Sequence, residues 1–212
     1  RNPLEELPEI EEFLDEYELI CTYAANECLI AGSEGDLRRS LAAMENSLAK
    51  AELLGAKIMR VNVAAGPFDR TVLATDWWRQ AVRQVVGKAA AKGIILAVEN
   101  PPNPAGGDPR LLREIVECFS SPWLKVTFDT GNWLPAGWDP GQAVEMLAGH
   151  IGYVHLKDMS FRTAGFVPVF PGAGDIDLFA IIHKLERSGY DGLFALEFPG
   201  GRSPAAAVKA SL

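Results

Sequence analysis

Four residues able to ligate a cation or move a proton each lie at or near the end of a strand-like segment: Glu99, Asp129, His155 and Glu197. In Gly152-Tyr153-Val154-His155-Leu156-Lys157-Asp158 the side chains alternate, with Val154 and Leu156 on one parity and Tyr153, His155 and Lys157 on the other. Three further segments keep that pattern. Ile94, Leu96 and Val98 oppose Ile95, Ala97 and Glu99; Val126 and Phe128 oppose Thr127 and Asp129; Phe194, Leu196 and Phe198 oppose Leu193, Ala195 and Glu197. Successive strand side chains point to opposite faces, so one parity packs against helices and the other lines an interior. Polar groups on the interior parity, near strand C-terminal ends, are those of a barrel mouth. The alternation therefore predicts that three carboxylates and one imidazole converge on a single site.

The intervening sequence supplies the elements that would hold those strands. Residues 3–17 are acidic, with Leu4, Leu7, Ile10 and Leu14 at helical spacing. A strand is expected from Leu19 to Ala24, then a helix from Asp36 to Leu54 stopped by Gly55. Ile58 to Val63 reads as a strand, and a helix runs from about Thr71 to Ala91, before Gly93. Asp108-Pro109, Asp139-Pro140 and Ser203-Pro204 each offer an N-cap followed by proline in the first turn. Asp177 caps a helix running to Ser188. Strand, loop and helix repeating in this order give a parallel sheet. Inward polar strand ends favour a closed (β/α) barrel over an open sheet, and no GxGxxG follows a strand to suggest dinucleotide binding.

Composition narrows the function classes. The 212 residues are 48% hydrophobic, enough for a single globular domain over residues 1–212. A formal net charge of -8 argues against a nucleic-acid partner, whose phosphates require a basic face. Cys21, Cys28 and Cys118 are odd in number and lack CxxC spacing, as expected of reduced thiols in a cytoplasmic protein. No apolar run approaches the roughly 18 residues that span a bilayer, so no membrane partner is expected.

Five motifs together carry a resemblance. Glu99-Asn100-Pro101, Phe128-Asp129-Thr130-Gly131-Asn132, His155-Leu156-Lys157-Asp158, Pro171 to Gly174 with Ile176-Asp177, and Gly189-Tyr190-Asp191-Gly192 before Glu197 resemble the sugar phosphate isomerase/epimerase family. This is the xylose isomerase-like TIM barrel superfamily, and the likeness runs from about Leu19 to Glu197. It implies a (β/α)8 TIM barrel of the α/β class, with Glu99, Asp129, His155 and Glu197 holding a divalent metal. It also implies that Glu99 and Glu197 are the catalytic acid and base. Where many relatives carry a histidine three residues after the aspartate, this chain has Asn132. The chemistry agrees: an oxygen-rich set with one imidazole suits Mn²⁺, Mg²⁺ or Co²⁺, and also admits Zn²⁺. Without a cation three converging carboxylates repel one another. With one, a ketose carbonyl is polarised, the neighbouring C–H yields a proton, and a metal-bound enediolate forms. Two carboxylates on well-separated strands can take that proton from one face and return it on the other.

Each residue also has a simpler reading. His155 alone would be a core histidine, and a buried carboxylate can be a member of a structural ion pair. Lys157 is either a substrate contact or a salt bridge inside the barrel. Asp158 is expected to orient a partner of the ligands. Arg60 and Asn62 either reach the pocket floor or pair internally. Arg162, in a long loop expected after His155, is a candidate for a substrate phosphate or hydroxyl. Trp133 and Trp138 either wall a sugar face or pack under the loop. Residues 171–174 read as a turn before a phosphate cradle, and His150 and His183 as structural or exposed. The substrate-binding set is thus Asn132, Lys157, Arg162 and Trp133. Its partner is a small-molecule sugar or sugar phosphate, acted on by a ketose isomerase or epimerase. An inosose dehydratase-like lyase would use the same metal site. An endonuclease IV-like nuclease would need more histidines and a basic face, and a non-catalytic member would need a vestigial site.

A (β/α)8 barrel of about 250 residues has eight strands, whereas six are found here, near Leu19, Ile58, Ile94, Val126, Tyr153 and Phe194. In relatives the quartet lies on strands five to eight, so the first two strands are expected to be absent. The Leu19 and Phe194 strands then become edges, which favours association into a homo-oligomer. Such a chain is either a fragment of a longer protein or completed by a partner.

Overall fold

The computed structural model describes residues 7–162 and 165–198. They fall into two compact units, the described residues within Arg1–Val98 and Cys118–Lys125 and those within Glu99–Glu117 and Val126–Leu212. Six strands make one sheet in the order β1 (Thr22–Ile30), β2 (Ile58–Ala64), β3 (Ile95–Glu99), β4 (Leu124–Asp129), β5 (Ile151–Leu156) and β8 (Phe194–Leu196). The pairs β1–β2, β4–β5 and β5–β8 are parallel, and β1 and β8 are the outermost strands.

In the first unit, α1 (Leu7–Glu16) precedes β1, and α2 (Glu34–Leu53) and α3 (Asp76–Ala91) follow the first two strands. Ser33 caps α2 by accepting from the Asp36 amide at 3.2 Å. Leu37, Leu41, Met44, Leu48 and Ala51 form its buried stripe at the 3–4-residue spacing of a helix packed on one side. Trp78 of α3 is fully enclosed, donates from Nε1 to the Leu29 carbonyl at 2.8 Å, and lies against Phe119. Two expectations shift. The first strand begins at Thr22 and runs to Ile30, with an irregular register between Ala24 and Cys28, while Leu19 and Ile20 lie exposed before it. Helical structure begins at Arg70 but breaks into a 3-10 turn, Arg70–Ala74, before α3. Thr75 causes the break: its extended backbone ends the turn, and its hydroxyl caps α3 by accepting from the Trp78 amide.

The second unit contains α4 (Pro109–Glu117), α5 (Pro140–Leu147) and α6 (Leu178–Arg187). Asp108 accepts from the Arg110 amide at 2.9 Å, Asp139 from Gln142 at 2.8 Å and Asp177 from Ala180 at 2.9 Å. These are the expected caps, with proline in the first turn of α4 and α5. An antiparallel hairpin, β6 (Asp158–Arg162) with β7 (Gly165–Val169), replaces the loop expected after His155. Pro168, which removes an amide donor, obscured β7 in the sequence. Arg162 ends β6 in an exposed position. The helix expected at Ser203 lies outside the described residues. Among those described, no disulfide joins the cysteines, and no helix is long and apolar enough to cross a membrane.

Candidate metal centre

The buried strand ends of the second unit carry the site. Phe128 and Val126 are fully enclosed on the packed side of β4, which sends Asp129 the other way. Register pairs Asp129 with His155, and His155 with Ala195 on β8. Glu197 follows β8, its amide donating to the Leu156 carbonyl at 3.0 Å. Tyr190 shapes the approach to β8 by donating to the Leu193 carbonyl at 2.6 Å.

Asp129 and the strand end beyond His155 are held from behind. Asp129 is completely buried. Its Oδ1 accepts from the Gly131 and Asn132 amides at 2.9 and 3.0 Å, and its Oδ2 from Lys157 Nζ at 2.8 Å. Asn100, also completely buried, brackets the Asp129 backbone: its Oδ1 accepts from the Asp129 amide at 2.8 Å and its Nδ2 donates to the Asp129 carbonyl at 3.1 Å. Thr130 locks the next strand, its Oγ1 donating to the Lys157 carbonyl at 2.6 Å and accepting from the Lys157 amide at 2.9 Å. Asn100 and Thr130 did not stand out as site residues in the sequence. Their one signal is a polar residue directly after a ligand at a strand end.

One ligand atom from each of Glu99, Asp129, His155 and Glu197 lies within 4.8 Å of the others. His155 Nδ1 sits 2.7 Å from Glu99 Oε1 and 2.7 Å from Glu197 Oε2. Yet this buried nitrogen forms a well-directed hydrogen bond with neither. A single N–H cannot serve two acceptors on different sides. Three oxygen donors and one imidazole gathered within 4.8 Å of one another fit a divalent cation.

The electrostatics reflect this crowding. Burial pushes Asp129 up to about 6; Lys157 pulls it down, while Glu197 and Glu99 add to the rise. For His155 burial favours the neutral ring, but the carboxylates of Glu197 and Glu99 outweigh it and push the imidazole up to about 9. Burial likewise opposes charge on Glu197, and His155 and Lys157 overcome it, holding Glu197 down to about 2. Lys157 is raised although burial works against it, because Asp129 and Glu197 favour its charge.

The remaining candidates fall into place around this set. Lys157 Nζ also reaches Glu197 Oε1, and it lies 3.3 Å from Asn132 Oδ1. Asn132 Nδ2 donates to the Asn100 carbonyl at 3.0 Å. Trp133 is wholly enclosed, its ring 5.1 Å from that of Phe128, and Trp138 lies under the Arg110 guanidinium at 4.9 Å. Arg60 donates to the Ala25 carbonyl and to Asn62. His150 lies 3.2 Å from Glu117, and His183 is exposed beside Glu186. Asp158 is completely buried and gathers the loop that returns from the hairpin. Its Oδ1 accepts from the Met159 and Ile176 amides at 2.8 and 3.2 Å, and its Oδ2 from Gly172 and Gly174 at 2.9 and 2.8 Å. Residues 171–174 are therefore a turn drawn around a protein carboxylate. A Cβ on Gly174 would sit 2.1 Å from Asp158 Oδ1, so only glycine fits there.

The sequence matches a family model described as xylose isomerase-like TIM barrel over residues 1–212. It is 36% identical over 98 residues to the inosose dehydratase of Geobacillus kaustophilus, covering 39% of this chain and 32% of that one. It is 29% identical over 122 residues to the L-ribulose-5-phosphate 3-epimerase of Escherichia coli, covering 57% of this chain and 42% of that one. These matches span less than half the length of either relative. Among solved structures, the IOLI protein with a bound zinc atom superposes with a TM-score of 0.81 at 16% identity, over 97% of this chain and 78% of that one. That likeness is one of fold. With the family model matched from end to end, the chain belongs to the xylose isomerase-like TIM barrel family.

Proposed function

We propose that this protein is a divalent-metal-dependent isomerase or epimerase acting on a ketose-type sugar or sugar phosphate. The observation that carries the reading is the convergence of Glu99, Asp129, His155 and Glu197 on one point. Those four residues would hold the cation, of the Mn²⁺, Mg²⁺, Co²⁺ or Zn²⁺ class, which when bound supplies Lewis-acid polarisation of a carbonyl. Glu99 and Glu197 arrive from different strands, and each has an oxygen 2.7 Å from the same His155 nitrogen. They therefore flank one reacting position from two directions. One carboxylate removes the proton next to the carbonyl, giving an enediolate, and the other returns a proton to the opposite face. Asn100, through the Asp129 backbone, and Thr130, through the Lys157 backbone, keep Asp129 and His155 in register during this transfer. We place the substrate against the open side of the set, with Asn132 at its edge and the Lys157 ammonium turned to Asp129 and Glu197. Arg162 would reach it from the hairpin, and Trp133 would support the wall. The protein would work in the cytoplasm on small molecules, with self-association through its outer strands.

The 36% identity to an inosose dehydratase favours a second reading. A lyase would make the same proton abstraction and then expel a β-hydroxyl. A solvent-deuterium exchange screen over ketoses, ketose phosphates and inososes, with and without added metal, tests both. Metal-dependent deuterium incorporation without loss of water supports the isomerase, and incorporation with dehydration supports the lyase. E99Q and E197Q should each abolish turnover while at least one retains metal. Wild-type turnover of a confirmed substrate in either variant would remove the two-carboxylate mechanism.

A further inference from the structure

Lys157 occupies a slot made for it. Its backbone is fixed at both polar atoms by Thr130 Oγ1. Its stem crosses Gly131, where a Cβ would lie 2.7 Å from Lys157 Cγ and 2.9 Å from Cδ, so any larger residue would close the passage. Its ammonium meets three oxygens: Asp129 Oδ2 at 2.8 Å, Asn132 Oδ1 at 3.3 Å and Glu197 Oε1. Glu197 divides its two oxygens, Oε1 toward Lys157 and Oε2 toward His155. The lysine thus commits its ammonium to Asp129, Asn132 and Glu197, two of which are ligand candidates. Only about a seventh of its side chain is exposed, which leaves little of it for a substrate to grip.

We propose that Lys157 is a resident counter-cation that sets the net charge of the carboxylate set to match a divalent ion. With His155 neutral, as a ligand must be, three carboxylates against one ammonium leave two negative charges, which a divalent cation cancels. When a substrate gives its proton to one of the carboxylates, one negative charge passes from that carboxylate to the substrate and the sum stays zero. Without Lys157 the set would carry three negative charges and would favour more highly charged cations. In this role Lys157 is a positioning and charge-setting residue, distinct from the catalytic pair.

The proposal rests on the metal-centre reading, and the experiment separates the two. Wild type, K157M, K157Q and the charge-retaining K157R are titrated with Mn²⁺ by calorimetry and with Tb³⁺ by luminescence. K157M and K157Q should bind both ions more tightly, with the preference for Tb³⁺ over Mn²⁺ rising at least about tenfold. K157R should stay near wild type. An unchanged Tb³⁺-to-Mn²⁺ ratio in both neutral variants would overturn the proposal, because loss of a purely structural contact would not alter charge selectivity. Should K157M fail to fold, K157Q carries the same comparison. If wild type binds neither ion, the metal-centre reading falls, and Lys157 is judged on the metal-free protein. There a K157M/D129N double-mutant cycle in urea should show strong coupling, and additivity would refute the counter-cation role.

Discussion

Removing the Asp158 carboxylate should cost more stability than any comparable surface change. In D158A four backbone amides, those of Met159, Gly172, Gly174 and Ile176, lose their acceptor at once. Hydrogen bonds to a charged group contribute about 1.5–3 kcal/mol each, and a stranded buried donor costs about 1–3 kcal/mol. The four do not add in full. Three of the bonds are only part-buried, so water can replace some of them as the turn relaxes. A net loss of about 3–5 kcal/mol follows, equivalent to a fall of roughly 10 °C in melting temperature for a chain of this size. D158N keeps the shape but retains one acceptor oxygen and turns an NH2 toward amides that also donate, so it should recover less than half of the loss. Urea unfolding monitored by tryptophan fluorescence measures the change, and limited proteolysis locates it between residues 159 and 176. A D158A loss below about 1 kcal/mol would show that the carboxylate does not hold the turn.

G174A should reproduce the effect from the other side of the contact, because its Cβ would lie 2.1 Å from Asp158 Oδ1. Unfolding of the double variant should then show far less than the sum of the two losses. Cation affinity should rise steeply between pH 6 and 9, as Asp129 ionises near 6 and His155 surrenders its proton near 9; a flat Mn²⁺ titration series across that range would contradict the assignment. For the metal-free protein the His155 sign is opposite. Its folded pKa lies above the unfolded value of about 6.5, so the stability it provides is complete below that pH and fades as pH rises through 9. H155N should remove this downward slope in urea unfolding.

Parity was enough to put Asp129 and His155 on one face, because period-two alternation leaves no freedom once Val126, Phe128 and Val154 are buried, whereas Phe194 and Leu196 are exposed on β8 and parity alone does not fix Glu197. Helix caps were legible for a similar reason: Asp139 and Asp177 act within three residues of themselves. What stayed hidden depends on partners distant in sequence. Asn100 reaches Asp129 across 29 positions and Asp158 reaches Ile176 across 18, and neither link leaves a local pattern. The β6–β7 hairpin was missed because Pro168 breaks the strand signal while Phe161, Phe166 and Val167 remain exposed. Both readings of Lys157 were open in the sequence. The slot over Gly131, which exists only once the chain is folded, favours the internal contact.

Glu197 differs from its companions in how firmly it is seated, and this makes the site unequally stiff. Asp129 is gripped by Asn100 and by its own following amides, and Thr130 ties it to the strand end beyond His155. Glu197 instead follows a three-residue strand, where its amide donates to the Leu156 carbonyl, and it keeps 39% of its side chain exposed. Cations of different radius would therefore be accommodated almost entirely by movement of one carboxylate. That carboxylate is also one of the two assigned to proton transfer, so ion size would be converted directly into the distance over which the proton must travel. Exchanging one divalent ion for another would then alter rate much more than affinity.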